Sequence, residues 1–211
     1  MRFQIFPRWC ALSVCLGVCA MPAAGAAVEF AFGGEILYAG PELSAYDSGA
    51  VVGSRFSGRI HYETDGVEDS VPLDPAVGEY ASPGYISVEL GTHTELASQI
   101  SVLVANDHPE GDDGFSARGA DVSVSRGLSI AHLLVSLYDP TRSALDSDAL
   151  PTSIALSDFN SAFVEVSLEN FDVVWHGEID TFFAVPEPAT GGMLALLAIV
   201  TCFPRTCGRR S

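Results

Sequence analysis

Apolar and polar residues alternate with a period of two in several separate runs along the middle of the chain. Val164, Val166 and Leu168, for example, alternate with Glu165 and Ser167. Because successive side chains of a strand point to opposite faces of a sheet, this alternation predicts strands with one buried and one solvated face. The same pattern occurs in six further runs, which begin at Phe30, Val52, Ile86, Ile100, Leu133 and Val173.

Residues that favour turns separate these runs, as in Asp65-Gly66 and Ser82-Pro83-Gly84. No window of ten or more residues in the body has the apolar stripe of a helix, although Leu156–Ala162 is long enough for one short helical turn. About eight to ten strands in roughly 155 residues are typical of a β-sandwich or jelly roll. The sequence therefore predicts a mainly β, antiparallel sandwich or jelly-roll-like domain over residues 27–184. Trp175 shares parity with Val173, which places it in the predicted core.

The beginning of the chain has the three parts of a secretory signal peptide. Arg2 and Arg8 precede the apolar run Trp9–Ala20, and the small residues Ala24 and Ala26 then form an Ala-x-Ala site. This order predicts a signal peptide over residues 1–26, cleaved after Ala26 or one residue later. The alternative is a retained anchor, but about 12 apolar residues are short of the ~20 that span a bilayer.

The end of the chain combines a proline motif, an apolar run and a basic terminus. The motif is Val185, Pro186, Glu187 and Pro188, the apolar run is Gly191–Phe203, and the terminal arginines are Arg205, Arg209 and Arg210. Residues 185–211 resemble the PEP-CTERM sorting signal. The prolines are expected to hold the chain extended and accessible to a protease. The terminal arginines favour the cytoplasmic side of a membrane.

The resemblance implies a route to the cell surface. In that family a short C-terminal membrane helix holds the exported precursor, and a membrane protease, exosortase, is thought to cleave near the motif. The 13 apolar residues Gly191–Phe203 correspond to roughly 20 Å of helix, against a hydrocarbon core of ~30 Å. The alternative is a buried C-terminal helix of a soluble domain. The strands and turns of Phe30–Thr190 also resemble PEP-CTERM passenger regions, which have no established activity.

Charge and cysteine content exclude several classes of function. Residues 28–183 hold 26 acidic residues and five arginines, a formal charge of −21, and the chain has no lysine. Such a charge repels phosphate backbones, so nucleic acid is not an expected partner. The five cysteines all lie in the two terminal segments. The body therefore has no disulfide framework, no cysteine-ligated zinc site and no cysteine nucleophile.

One acidic loop is the candidate metal site of the body. It contains Asn106, Asp107, Asp112 and Asp113, whose oxygen atoms are of the kind that calcium prefers. The spacing is not that of an EF-hand, and the alternative is a solvated acidic turn without a cation. No other cofactor is predicted. The five histidines are scattered singly, which gives no zinc-site spacing.

The sequence as a whole predicts an exported cell-surface or extracellular-matrix protein without catalytic activity. Its expected partners are an exosortase-type protease and, before processing, the inner membrane that holds the C-terminal helix. One alternative is a carbohydrate-binding module that acts on exopolysaccharide, and another is a polysaccharide hydrolase. An exposed aromatic surface would favour the binding module, whereas two carboxylates at glycosidase separation in a cleft would favour the hydrolase.

Overall fold

A computed structural model describes residues 27–43, 47, 49–107, 112–123 and 130–186, and the elements whose bounds lie within them are eight strands and one short helical turn. The strands are β1 (Ala27–Ala39), β2 (Arg55–Glu63), β3 (Val77–Leu90), β4 (His93–Ala105), β5 (Asp113–Ser123), β6 (Ile130–Asp139), β7 (Ser161–Leu168) and β8 (Val173–Ala184). A single turn of 3-10 helix, Leu156–Asp158, precedes β7. It lies inside the segment for which the sequence predicts one helical turn.

Each strand pairs antiparallel with its neighbour in sequence, and β8 pairs back with β1 to close a barrel. The mainly β, antiparallel prediction is confirmed, and eight strands fall within the expected number. The two-layer sandwich or jelly roll is wrong, because one continuous sheet closes on itself. Alternation with a period of two reports one buried face per strand, and this holds equally for a sandwich and for a barrel.

Aromatic side chains fill the interior of the barrel. Phe30 lies at the centre of this cluster, with ring centroids 6.1 Å from Tyr62, 6.3 Å from Phe115 and 5.0 Å from Phe182. Trp175 is fully buried, as its parity predicts. Because an eight-stranded barrel is only just wide enough for its own side chains, these rings form a packed core.

Three local features depart from the expected alternation. Val52, the start of one predicted run, lies before β2 and is 58% exposed. No apolar run predicts β5, because its buried positions include Ala117 and Gly119, and its larger buried apolar residues, Phe115 and Val122, do not share parity. Tyr38 shares parity with Ile36 in the sequence but is 51% exposed. A register shift between Ile36 and Tyr38 reverses the face from that point, since an extra residue turns every later side chain over.

The loop between β6 and β7 packs against the end of the barrel where β2 finishes and β3 begins. Tyr62 donates its hydroxyl hydrogen to the carbonyl of Pro151, and Tyr80 donates to the carbonyl of Asp148 at 3.1 Å. Leu150 of the same loop is partly buried against the core. Burial raises the pKa of Tyr62. The loop therefore covers this end of the core.

Candidate functional site

The outer face of the barrel carries a depression of about 420 Å³, here called the trough, which crosses β8, β1, β2 and β3. Towards one end, Ala31 of β1 lies opposite Arg59 of β2 on one side and Phe183 of β8 on the other. Gly33, the next residue of β1 on the same face, lies opposite Ser57 and Thr181. The trough exists because β1 presents small residues where its neighbours present larger ones.

Gly33 keeps the floor of the trough low. A Cβ atom at this position would lie 2.9 Å from the Oγ1 atom of Thr181 and 3.4 Å from the carbonyl oxygen of Phe56. Thr181 in turn donates to the carbonyl of Gly33 at 3.3 Å, which holds its side chain against β1. A larger residue at Gly33 would both displace Thr181 and fill the space between the strands.

An ion pair crosses β1 at one end of the trough. Both terminal nitrogen atoms of Arg55, on β2, donate to the carboxylate of Asp180, on β8, and the contact from Nη2 to Oδ1 is 2.9 Å. The hydrogen bonds from Arg55 lower the pKa of Asp180, which therefore stays ionised. About half of each side chain is exposed, so the ion pair contributes little to the stability of the fold. It forms one edge of the trough.

A second ion pair lies at the other end of the trough. Arg59 of β2 donates to Oε1 of Glu29 on β1, and Tyr85 of β3 donates to Oε2 of the same carboxylate at 3.1 Å. Burial and the carboxylate of Glu29 raise the pKa of Tyr85. Both oxygen atoms of Glu29 are thus occupied, and the Arg59 guanidinium is held over the trough with N–H groups to spare.

The remaining walls supply an aromatic ring and further polar atoms. Phe183 borders the trough, and 58% of its surface is exposed to solvent. Glu89 of β3 accepts a hydrogen bond from Ser57 at 3.4 Å and adds an acceptor to the arginine donors. The trough therefore brings N–H donors, carboxylate acceptors and one apolar ring face together around a small floor. Such a combination suits a polar ligand that also has an apolar face.

Sequence reasoning did not single out the trough residues. The feature of the sequence that could have indicated the trough is the segment Arg55–Arg59. It holds two of the five arginines of the body, four residues apart on the solvated face of one strand. The four strands that build the trough come from opposite ends of the chain. The pairing of β8 with β1 is needed to place Phe183 and Asp180 beside these arginines.

A larger cavity, of about 570 Å³, lies within the loop between β6 and β7. All of its lining residues fall between Ala144 and Phe159, and its charged residues are the two acidic side chains Asp146 and Asp158. This cavity has no basic residue in its lining, and no strand residue lines it. The trough is therefore the better candidate for a recognition site.

Where the structure describes the predicted calcium loop, its acidic side chains accept hydrogen bonds from other parts of the chain. Asp113, the first residue of β5, is fully buried. Its Oδ1 atom accepts the backbone N–H of Asp107 at 2.8 Å, and its Oδ2 atom accepts that of Leu145 at 3.0 Å. Asp112 accepts the hydroxyl of Tyr138. Asn106 follows β4, and among the described residues no three histidine, cysteine or acidic side chains group as metal ligands. Calcium binding stays a prediction.

A second buried carboxylate adjoins the first. Asp139 lies opposite Asp113 in the β5–β6 register and is likewise inaccessible to solvent. It accepts the backbone N–H groups of Ser143 at 3.0 Å and Thr141 at 2.9 Å, and both hydroxyls also contact it. These hydrogen bonds, led by that of Ser143, lower the pKa of Asp139. The two aspartates therefore fix the beginning of the β6–β7 loop.

The histidines of the described residues do not converge on a metal site. His132 stacks on Phe171 with ring centroids 5.2 Å apart, and the Arg118 guanidinium lies 3.1 Å from its Nδ1 atom. Partial burial and the charge of Arg118 lower the pKa of His132. His176 packs on Phe163 at 5.0 Å, on the outer face of another strand pair.

The sorting motif begins where the barrel ends. The backbone N–H of Val185 donates to the carbonyl of Glu29 at 2.7 Å, one residue beyond β8, and Pro186 follows. The other predicted targeting residues lie outside the described residues: Glu187, Pro188, Arg205, Arg209, Arg210, Ala24, Ala26 and the expected C-terminal helix Gly191–Phe203. In the described part of the chain, no helix is long and apolar enough to cross a membrane.

Comparisons of the chain with protein-family models, with curated proteins and with solved structures give no match.

Proposed function

We propose that this chain is an exported cell-surface or extracellular-matrix protein that displays the barrel. The signal peptide carries the precursor across the inner membrane, and the short C-terminal apolar segment holds it there with its arginines on the cytoplasmic side. An exosortase-type protease then cleaves near Val185–Pro188 and passes the barrel to the surface or the medium. The proposal rests on the two terminal segments and on how the barrel fits between them.

The observation that carries the proposal is the position of the barrel in the chain. Ala27, the first residue that the structure describes, already belongs to β1 and follows the expected cleavage site at Ala26, and the last strand ends at Ala184, directly before Val185. Phe30 of β1 pairs with Ala184 of β8, so the two ends of the barrel are neighbours in the sheet. Removal of both terminal segments would therefore leave the eight described strands in place.

The carboxylates of the trough support binding over catalysis. A glycosidase needs one carboxyl group whose pKa is raised, so that it can act as the acid. Asp180 has a lowered pKa because Arg55 donates to it. Both oxygen atoms of Glu29 already accept hydrogen bonds from Arg59 and Tyr85. We therefore propose that Asp180 and Glu29 hold the arginines for binding and do not act as a catalytic pair.

The sorting step can be tested with a double substitution, Pro186→Ala with Pro188→Ala. We expect the full-length precursor to accumulate in the inner-membrane fraction, because the segment loses the prolines that keep it extended for the protease. Pro72→Ala with Pro75→Ala is the matched control, since both prolines lie in an exposed loop of the barrel. Immunoblots of membrane, surface and medium fractions give the result. Release of normally sized protein from the Pro186/Pro188 variant would rule out the proposed role of these prolines.

A further inference from the structure

We infer that the trough binds an uncharged saccharide, with one sugar ring against Phe183 and its hydroxyl groups hydrogen-bonded to the arginines and acids of the walls. The inference stands apart from the proposed sorting route, since it rests on residues of the barrel alone. It identifies uncharged saccharides as the class of ligand that the displayed barrel binds.

The dimensions of the trough fit one or two sugar rings. Phe183 and Arg59 flank Ala31 from the two adjacent strands, which places their backbones about 10 Å apart. The ion pairs Arg59–Glu29 and Arg55–Asp180 limit the depression along β1. Between them lie about four residues of strand, or roughly 13 Å. The enclosed space is about 420 Å³.

The chemistry of the walls matches both faces of a sugar. Hydroxyl groups donate and accept hydrogen bonds, and the trough offers guanidinium donors at Arg55 and Arg59 together with an acceptor at Glu89. The C–H groups on the face of a pyranose are apolar and carry small positive charges, which suits the negative face of an aromatic ring. Phe183 presents such a face, with 58% of its surface exposed.

The ion pairs prepare the arginines for binding. Arg55 is held by two hydrogen bonds to Asp180, and Arg59 is held by Glu29, which is itself fixed by Tyr85. Side chains that are already ordered lose less conformational entropy when a ligand arrives. The guanidinium groups retain unused N–H donors in this arrangement.

The charge balance favours an uncharged ligand. The carboxylates of Glu29 and Asp180 neutralise the two arginines, and Glu89 adds a negative charge to the same walls. The body as a whole carries a formal charge of −21. A uronate, sulfate or phosphate group would therefore meet a repulsive field with no unpaired cation in the trough to bind it.

The test is a binding comparison with the full-length protein, purified in a detergent that contains no sugar. The probes are immobilised neutral glucans, mannans and galactans, and the uronate polymer alginate. Three variants are compared with the wild type: Phe183→Ala removes the ring, Ala31→Gln fills the floor, and Phe171→Ala is the control. Phe171 is also an exposed aromatic residue, at 68%, but it lies in the turn between β7 and β8.

We expect the wild type to bind at least one uncharged polymer and to bind alginate more weakly. Phe183→Ala and Ala31→Gln should each raise the Kd at least tenfold, with unchanged thermal melting, while Phe171→Ala should leave the Kd within twofold. The inference is overturned if no uncharged polymer binds, if alginate binds more tightly, or if the two trough variants bind like the wild type. None of these outcomes bears on sorting, which the Pro186/Pro188 variant tests separately.

Discussion

Gly34→Ala is expected to lower the free energy of unfolding by about 3 kcal/mol or more, a large effect for one methyl group. A Cβ atom at Gly34 would lie 1.9 Å from the carbonyl oxygen of Glu178 and 2.6 Å from Cζ of Phe56. The first contact is with the backbone of β8, which cannot rotate away as a side chain can. Relief therefore requires β1 and β8 to separate where the barrel closes.

The measurement is urea denaturation followed by far-ultraviolet circular dichroism, on the wild type and on two variants. Gly114→Ala is the matched control, because a Cβ atom there would meet only the carbonyl oxygen of Leu137, at an ordinary 3.6 Å. It should change the unfolding midpoint little. Equal midpoints for Gly34→Ala and Gly114→Ala would contradict the close β1–β8 pairing.

Asp113→Ala is expected to destabilise the fold by about 1–3 kcal/mol for each of two donors that it leaves unpartnered. These donors are the backbone N–H groups of Asp107 and Leu145, which belong to two different loops. Because Asp113 is fully buried, water cannot replace its oxygen atoms without opening the end of the barrel. The loss should appear as a lower unfolding midpoint in urea.

Asp146→Ala is the control for charge, since it removes the same charge from an exposed position in the β6–β7 loop. In a body of −21 this removal should be neutral or slightly stabilising. A loss of stability equal to that of Asp113→Ala would show that charge, and not the two hydrogen bonds, is responsible. A calcium-specific rise in the wild-type melting temperature that Asp113→Ala abolishes would instead make Asp113 a metal ligand.

Strand parity predicted most of the core, because burial of one face follows directly from the geometry of a strand. Ile86, Val88 and Leu90 are all buried, as are Leu133 and its partners on β6. Parity could not identify β5, whose inward side chains are mostly small. It also could not decide between a sandwich and a barrel, since closure depends on the register that joins the first strand to the last.

The candidate site was harder to predict than the core. The trough depends on a small residue, Ala31, lying between Phe183 and Arg59, three positions that only the closed sheet brings together. For the acidic loop, the sequence suggested a metal-binding role, whereas the structure shows a structural role for Asp113. In the sequence, Asp113 is one of several acidic residues with nothing to distinguish it. In the fold it is buried and accepts two backbone N–H groups. Local composition does not reveal such burial.

The most direct test of the proposed export and sorting is the intact mass, with N-terminal sequencing, of the protein recovered from the cell surface or medium of the producing cells. The mature chain is expected to begin at Ala27 or Val28 and to end close to Pro188, so that it keeps all eight strands and lacks the apolar segment and the terminal arginines. A full-length chain of 211 residues, recovered from the cytoplasm with Met1 and Ser211 in place, would contradict the account.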